Sequence, residues 1–274
     1  MDLARAETLV SGLIGEERYA NLGVRKKARR YLSPVLGRLY GSNLPQLARL
    51  YGTDKWGNHW YAQHYQRHFE ALRRRPITIL EIGIGGENKP GAGGASLKMW
   101  KRFFPKAAVF GVDLYDKSNL EEDRIRILQG DQSDAGFLRE LVAQTGPLDI
   151  VVDDGSHRPE HIIATFEALF PEVKAGGFYA VEDLQTSYWP DFGGDPDVEA
   201  PHTSMNFLKR LADAVNWQEI PGREEGPYDR WVRGVHFYHN LAIVDKGENE
   251  EPATWTYTNR ADRGPEADGE GAEG

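Results

Sequence analysis

Acidic residues and a histidine follow two apolar runs in the second half of the chain. Residues 151–157 read Val-Val-Asp-Asp-Gly-Ser-His, and residues 181–183 read Val-Glu-Asp. Neighbouring strand ends of a parallel sheet lie about 5 Å apart, so Asp154, Glu182 and Asp183 are expected to converge. Several carboxylates repel one another unless a cation neutralises them, and a set of oxygen ligands suits Mg²⁺. We therefore predict a magnesium site, with helix caps and surface acids as the alternative.

His157 lies three residues after Asp154, across a Gly-Ser turn. Beside a metal, at the catalytic edge of the sheet, this imidazole is predicted to act as a general base. A nearby cation disfavours the imidazolium and keeps the ring ready to accept a proton, while the metal makes a bound hydroxyl more acidic. The alternative is a structural or metal-linked histidine.

A glycine-rich loop at residues 80–86, Leu-Glu-Ile-Gly-Ile-Gly-Gly, ends an apolar run. In a doubly wound sheet, ligands bind beyond the carboxyl end of the first strand, where glycines let the backbone approach closely. The dinucleotide pattern GxGxxG is absent, and residues 87–95 form a longer loop than a pyrophosphate needs. Glu81 suits a cationic amine better than a phosphate, although a plain tight turn is the alternative.

Two further acids follow later strands. Asp113 ends the second predicted strand, where a carboxylate can accept hydrogen bonds from both ribose hydroxyls. Asp131 follows Gly130 after the third strand, where an acid can receive the adenine amino group. Lone acids at strand ends are often helix caps, but three in order around a glycine loop favour an adenosine-type ligand with a cationic amine.

Alternating strands and helices must position these residues. The predicted strands span residues 77–84, 107–114, 125–128, 148–152 and 178–181, and the predicted helices span residues 96–104, 135–144 and 159–170. This alternation indicates a doubly wound, Rossmann-like α/β sheet of parallel strands with helices on both faces. Two last runs, residues 235–238 and 241–244, are separated by two residues, which permits an antiparallel hairpin and forbids a parallel crossover.

Three segments are predicted along the chain. Residues 1–50 are expected to form a helical N-terminal extension, whose basic stretch at residues 25–30 is a solvated helix face or, alternatively, contacts an anionic partner. Residues 51–250 form the α/β domain. Residues 251–274 are a polar tail that is rich in Gly, Glu, Asp and Ala from residue 259 and is expected to be disordered.

Composition argues against several classes of protein. Of 274 residues, 33 are Lys or Arg and 42 are Asp or Glu, and the net charge of -9 argues against nucleic acid as a partner. The absence of Cys excludes disulfides, thiolate metal sites and cysteine nucleophiles, and suits a reducing cytoplasm. No apolar run approaches the roughly 20 residues that span a bilayer, and the N-terminus lacks an apolar signal core. We expect a cytoplasmic protein without a membrane partner.

Several of these motifs resemble the metal-dependent sugar O-methyltransferases of antibiotic biosynthesis. They are residues 81–86, 152–157 and 181–188, with Thr-Asp-Lys at residues 53–55 and residues 202–208 fitting the same pattern. Asp-Gly-Ser-His followed by Glu-Asp is not general to methyltransferases, and the likeness is to deoxysugar enzymes of the mycinamicin and demethylmacrocin type. It covers about residues 50–245 and implies a class I methyltransferase sheet, in which five parallel strands are closed by a C-terminal antiparallel hairpin.

The resemblance also implies a function. The methyl group of S-adenosylmethionine would pass to a hydroxyl of a deoxysugar on a natural product, with His157 as base and Mg²⁺, held by Asp154, Glu182 and Asp183, chelating a vicinal diol. The residues placed around S-adenosylmethionine are Glu81, Ile82, Gly83, Gly85, Gly86, Ser96, Asp113, Gly130, Asp131 and Asp153. A glycosylated small molecule is the expected acceptor.

A homo-oligomer is a further expectation, with one departure from the family pattern. The mycinamicin enzyme is longer at its N-terminus, where an auxiliary domain aids assembly, whereas about 50 residues precede the shared region here. The oligomeric state and the acceptor pocket are therefore not carried over.

Three other functions stay open. The first is methylation of a phenolic diol or another small-molecule hydroxyl, for which the base would matter less because a phenol ionises more easily. The second is a nicotinamide oxidoreductase, against which the missing GxGxxG and the terminal hairpin count. The third is a non-enzymatic nucleotide-binding module, which leaves the carboxylates and His157 without a role.

Overall fold

The structure is a computed structural model that describes residue 37, residues 40–89 and residues 91–252. The basic stretch at residues 25–30 and the polar tail from residue 259 lie outside the described residues. In chain order, the helices are α1 (Leu44–Tyr51), α2 (Tyr61–Phe69), α3 (Ala95–Phe103), α4 (Ala135–Thr145), α5 (Pro159–Leu169) and α6 (Ser204–Val215). The strands are β1 (Thr78–Ile82), β2 (Ala108–Asp113), β3 (Ile125–Gln129), β4 (Leu148–Asp153), β5 (Val173–Val181), β6 (Val232–Tyr238) and β7 (Leu241–Lys246).

The seven strands of the described residues form one sheet in the order β3-β2-β1-β4-β5-β7-β6. Strands β1 to β5 run parallel, while β7 is antiparallel to both β5 and β6. The predicted five parallel strands and the C-terminal antiparallel hairpin are confirmed. Asn240 closes the hairpin at φ 60°, a left-handed conformation that Asn adopts more readily than most residues.

Several strand boundaries differ from the predicted ones, and the backbone conformation explains two of them. β1 ends at Ile82 because Gly83 leaves the strand at φ 78°. β5 begins at Val173, well before the predicted residue 178, and its pairing with β4 shifts register before Phe178. The first part of the strand was not predicted because the intervening Lys-Ala-Gly-Gly interrupts the run of apolar, β-branched residues that indicates a strand.

Apolar side chains on the two faces of the sheet belong to separate clusters, because successive strand residues point to opposite faces. On β1, Ile79 belongs to a cluster with α1, α2 and α3, whereas Leu80 belongs to a cluster with α4, α5 and α6. Helix α6 was not predicted, although its buried Phe207, Leu208 and Leu211 recur at helical spacing. Helices thus cover both faces, as a largely parallel sheet requires.

Helix α1 crosses the predicted boundary at residue 50. Asn43 caps it by accepting a hydrogen bond from the backbone N–H of Gln46, and Leu44 and Leu47 are fully buried in the cluster that contains Ile79. The division into residues 1–50, 51–250 and 251–274 stays a prediction. Within the described ranges, no helix has both the length and the hydropathy that crossing a membrane requires.

The winding of the sheet changes direction at β1, which pairs with β2 on one side and β4 on the other. In open α/β sheets, ligands bind beyond the carboxyl ends of the strands at this switch point. The residues that follow β1, β2, β4 and β5 are therefore the ones expected to form a ligand-binding site.

A histidine cluster joins α2 to the edge of the sheet. His68 lies with Nε2 2.8 Å from the hydroxyl of Tyr238, and its ring centre is 4.4 Å from that of His236. Burial, and then the nearby His236, Arg67 and His64, lower the pKa of His68 from 6.5 to about 4. The folded protein therefore keeps this imidazole neutral at pH values where the unfolded chain protonates it.

We expect the free energy of unfolding to fall as the pH is lowered from about 6.5 to about 4, because the unfolded state binds more protons in that window. Urea unfolding at pH 7 and pH 5 measures the change, and His68→Gln should remove part of it. His202→Gln, at an exposed position, is the matched control and should keep the full pH dependence. A His68→Gln protein with the wild-type pH dependence would contradict this assignment.

Candidate active site

Backbone hydrogen bonds extend beyond the strand ends and fix the turns that follow them. The N–H of Asp154 donates to the carbonyl of Ile82 at 2.9 Å, and the N–H of Glu182 donates to the carbonyl of Asp153 at 2.9 Å. Gly83 packs so closely against the backbone of Asp154 that a Cβ at this position would overlap it. The two turns that carry the acidic motifs are therefore held side by side at the carboxyl edge of the sheet.

Asp154, His157 and Asp183 come together in these turns. One ligand atom from each residue lies within 4.8 Å of the others, and His157 Nε2 is 3.7 Å from Asp183 Oδ2. Both His157, at φ 57°, and Asp183, at φ 52°, adopt the left-handed conformation, which is strained for residues other than Gly. Such strain persists where the surrounding structure imposes it, and it is frequent at functional sites.

Glu182 lies deeper than the two aspartates with which it was predicted to bind metal. Its carboxylate is almost completely buried, accepts a 2.6 Å hydrogen bond from the hydroxyl of Tyr65, and lies 2.8 Å from Nζ of Lys55. Burial, and then the charge of Asp154, raise the pKa of Glu182 well above its usual range. The role of Glu182 as a metal ligand stays a prediction.

Lys55 lies among the carboxylates of Asp154, Glu182 and Glu81. Its side chain is 1% exposed, and Nζ lies 2.8 Å from Asp154 Oδ2, 2.8 Å from Glu182 Oε1 and 3.1 Å from Glu81 Oε1. Burial alone lowers the pKa of Lys55, but the surrounding carboxylates outweigh burial and raise it well above its ordinary value. Thr-Asp-Lys was noted in the sequence only as part of a resemblance, so no pattern identified this lysine as a site residue.

Asp183 is flanked by two histidines. His59 Nε2 lies 3.6 Å from Oδ1 of Asp183, the oxygen that also accepts a 2.8 Å hydrogen bond from the hydroxyl of Tyr61, whereas His157 approaches Oδ2. Burial, and then the charge of Asp183, raise the pKa of Tyr61 and keep it a hydrogen-bond donor. His59 was not predicted, because nothing in its local sequence distinguishes it from other histidines on the chain.

A cavity of about 430 Å³ opens beside this group, at the switch point of the sheet. A neighbouring cavity of about 300 Å³ shares Gly83, Gly85 and Asp154 with it. Most residues predicted to surround a cofactor line one or both cavities: Ile82, Gly83, Gly85, Gly86, Ser96, Asp113, Gly130 and Asp131. The structure thus brings these residues together around space for a small molecule.

Glu81 and Asp153, also predicted around the cofactor, line neither cavity and are buried. Oε2 of Glu81 accepts a 3.1 Å hydrogen bond from the indole of Trp100, and Oδ2 of Asp153 accepts one of 3.3 Å from the hydroxyl of Tyr179. Burial raises the pKa of Asp153 to about 7. Protein groups already engage both carboxylates, so direct contact with a cofactor stays a prediction for them.

Gln132 positions the turn that carries His157. Its Oε1 accepts a 2.7 Å hydrogen bond from the N–H of Ser156, and its Nε2 donates to Oδ1 of Asp153 at 3.1 Å and to Oγ1 of Thr165 at 3.1 Å. Gln132 was not predicted as a site residue, although its neighbour Asp131 was, because an amide carries no charge that would indicate a role in binding. Gln132 also lines the larger cavity, so it links the cavity wall to the turn.

Gly155→Ala should destabilise this turn, because a Cβ at Gly155 would overlap Oε1 of Gln132. We expect the free energy of unfolding to fall by about 1–3 kcal/mol, the usual cost of overpacking, as measured by urea denaturation. Gly234→Ala is the matched control, since its Cβ would meet no atom closer than 3.4 Å, and should change stability by less than about 0.5 kcal/mol. Equal changes in the free energy of unfolding for the two substitutions would contradict this prediction, because they would show that the Gln132 side chain can move away from the added Cβ without cost.

Comparison with known proteins identifies relatives of this chain. It is 50% identical over 214 residues to demethylmacrocin O-methyltransferase of Streptomyces fradiae and 48% identical over 225 residues to mycinamicin VI 2''-O-methyltransferase of Micromonospora griseorubida. These matches cover 76% and 78% of this chain but 54% and 56% of the relatives. The chain therefore spans about half the length of the curated relatives it matches. No family model matches the sequence.

Two further matches agree with these. The chain is 49% identical over 215 residues to 8-demethyl-8-alpha-L-rhamnosyl tetracenomycin-C 2'-O-methyltransferase of Streptomyces olivaceus, covering 76% of this chain and 57% of that protein. MycE methyltransferase of the mycinamycin pathway, solved with Mg, SAH and mycinamycin VI, superposes with a TM-score of 0.76 at 48% identity over 78% of this chain and 56% of that one. This chain is thus a relative of the sugar O-methyltransferases of antibiotic pathways that its motifs resemble, and it has the class I methyltransferase fold.

Proposed function

We propose that this chain transfers the methyl group of S-adenosylmethionine to a hydroxyl of a deoxysugar on a natural product, with a bound Mg²⁺. The observation that carries the proposal is the position of Asp154, His157 and Asp183 at the wall of the cavity that the glycine loop and Asp113 also line. A base and anionic oxygens beside space for a small molecule are what a metal-assisted O-methylation requires.

The residues present fit both groups. Asp154 and Asp183, with Glu182 beside them, offer the carboxylate oxygens that Mg²⁺ prefers. Glycines at positions 83 and 85 allow close approach of a ligand to the backbone, and Asp113 at the end of β2 suits ribose hydroxyls. The MycE structure was solved with Mg and SAH, which supports the same pair of ligands here.

The chain's own residues account for proton removal and orientation. Nε2 of His157 takes the proton of the acceptor hydroxyl, and Asp183, 3.7 Å from that nitrogen, stabilises the resulting imidazolium. The acceptor oxygen bonds to the methyl carbon as the sulfur–carbon bond breaks, and the electron pair stays on sulfur. A bound Mg²⁺ would supply charge stabilisation of the acceptor oxygen and, through a vicinal diol, its orientation.

A sugar acceptor is favoured over a phenolic diol by the relatives. One relative is named for a rhamnosyl compound and another, 42% identical, for an olivosyl compound. A sugar hydroxyl is a weak acid, so His157 at the wall of the cavity has a task in methylating it. A nicotinamide oxidoreductase and a non-enzymatic module leave the three-residue group without a task.

Removing the metal ligand should stop the reaction. Asp154→Asn keeps the shape of the side chain but removes its charge, so we expect methyl transfer to glycosylated macrolide acceptors to be lost, and excess EDTA should have the same effect on the wild type. Asp191→Asn, at an exposed acid outside the site, is the matched control and should keep full activity. Full wild-type activity in EDTA would rule out a metal-dependent reaction.

Removing the base should slow chemistry without preventing cofactor binding. We expect His157→Ala to lower kcat by roughly 10²–10⁴, the usual share of general-base catalysis, while calorimetry with S-adenosylmethionine shows little change. His64→Ala is the matched control, because His64 stacks on Tyr238 in the cluster between α2 and β6. A loss below tenfold for His157→Ala, together with a large loss for His59→Ala, would transfer the role of base to His59.

A further inference from the structure

One buried lysine connects three neighbouring strand ends. Glu81 belongs to β1, Asp154 follows β4 and Glu182 follows β5, and Nζ of Lys55 lies within 3.1 Å of an oxygen of each. The lysine itself lies outside the sheet, between α1 and α2. Its ammonium group therefore links the three carboxylate side chains, in addition to the backbone hydrogen bonds that join the strand ends.

The geometry of an ammonium group suits this arrangement. Lys55 has three N–H donors on a compact tetrahedral charge: it donates to Oδ2 of Asp154 and lies within ion-pair distance of Oε1 of Glu182 and Oε1 of Glu81. Two other donors restrict the same carboxylates, because the hydroxyl of Tyr65 shares Oε1 of Glu182 with the lysine and the indole of Trp100 holds Oε2 of Glu81. At Asp154 and Glu182 the lysine engages one oxygen of each carboxylate, Oδ2 and Oε1 respectively.

We propose that Lys55 is a positioning residue of the metal site, which holds Asp154 and Glu182 by one oxygen each in the orientation that binds the divalent cation. The inference rests on the proposed function, since it assigns a task to a residue that neither the motifs nor the base-and-metal scheme uses. It also gives Glu81 a role as the third anchor of the lysine. The lysine thereby joins the strand that leads into the glycine loop to the two strands that carry the metal ligands.

Positioning and simple charge balance predict opposite effects when Lys55 is removed. A nearby positive charge repels a divalent cation, so its loss alone should strengthen metal binding at a pH high enough to keep the carboxylates ionised, and the titration is run at such a pH. If the lysine instead fixes the ligands, its loss lets the two carboxylates rotate away from each other, and metal binding should weaken. Loss of a partner that orients metal ligands typically lowers metal affinity by about 10–100-fold.

The affinity of the site for Mn²⁺ can be measured without turnover, by titrating the protein with Mn²⁺ and monitoring the electron paramagnetic resonance signal of the free ion. We expect Lys55→Met to bind Mn²⁺ about 10–100-fold more weakly than the wild type. Lys246→Met is the matched control, because Lys246 is also buried but donates to the carbonyls of Phe170 and Pro171, at the opposite end of the sheet, and should leave Mn²⁺ affinity unchanged. Equal or tighter binding by Lys55→Met would overturn the inference.

A second variant keeps the test decisive if Lys55→Met does not fold, as judged by circular dichroism. Lys55→Arg retains the charge but replaces a tetrahedral donor by a planar one, so we expect Mn²⁺ affinity to fall at least fivefold, whereas unchanged affinity would overturn the inference. A wild-type chain that binds no Mn²⁺ would overturn the proposed metal-dependent function and this inference together. Wild-type binding that neither variant weakens overturns the inference alone.

Discussion

Compensation of buried negative charge is the constraint on which this site depends. Glu81, Asp154 and Glu182 end or follow adjacent strands, and the side chains of Glu81 and Glu182 are almost completely removed from water. Burying carboxylates without partners is costly, because water no longer stabilises the ionised form. Among the residues that the structure describes, Lys55 is the buried cation that lies within ion-pair distance of all three. The segment that carries it is held in place by α1 and α2, whose apolar residues pack on the sheet.

The strained turns follow from the same arrangement. Asp183 and His157 both stand at positive φ, at the points where the chain leaves β5 and β4. Their backbone is held by the hydrogen bonds that continue the ladder past the strand ends and by the amide of Gln132. A rigid sheet thus imposes an unfavourable conformation on two side chains, and in return both face the same point in space.

The sequence was sufficient for those features that repeat locally. Apolar β-branched runs located β1 to β4, and the two-residue link before Leu241 identified the hairpin. The start of β5 was not predicted because Lys174 and two glycines interrupt its apolar pattern. Helix α6 was not predicted because a long loop precedes it, where the alternation of strands and helices is interrupted. The acidic motifs predicted which turns meet, since parallel strands bring their carboxyl ends to one edge.

Contacts between distant segments could not be predicted in this way. Lys55, His59 and Gln132 reach the site from loops whose own sequences show no periodicity, and their partners lie far along the chain. The same limit applies to burial: Glu81 and Asp153 have the residue type and position expected of cofactor ligands, yet Trp100 and Tyr179 engage them from the core side. Only the packing of the helices on the sheet decides which oxygens face solvent.

The central claim is that a lysine-anchored set of carboxylates binds a divalent cation next to the cofactor cavity. Its most direct test is a crystal structure of this chain with Mn²⁺ and S-adenosylhomocysteine, in which anomalous scattering locates the metal. We expect one Mn²⁺ peak at about 2.0–2.4 Å from oxygens of Asp154, Glu182 and Asp183, with Nζ of Lys55 still in contact with Glu81, Asp154 and Glu182. A peak elsewhere, or a lysine displaced from the carboxylates by the metal, would contradict it.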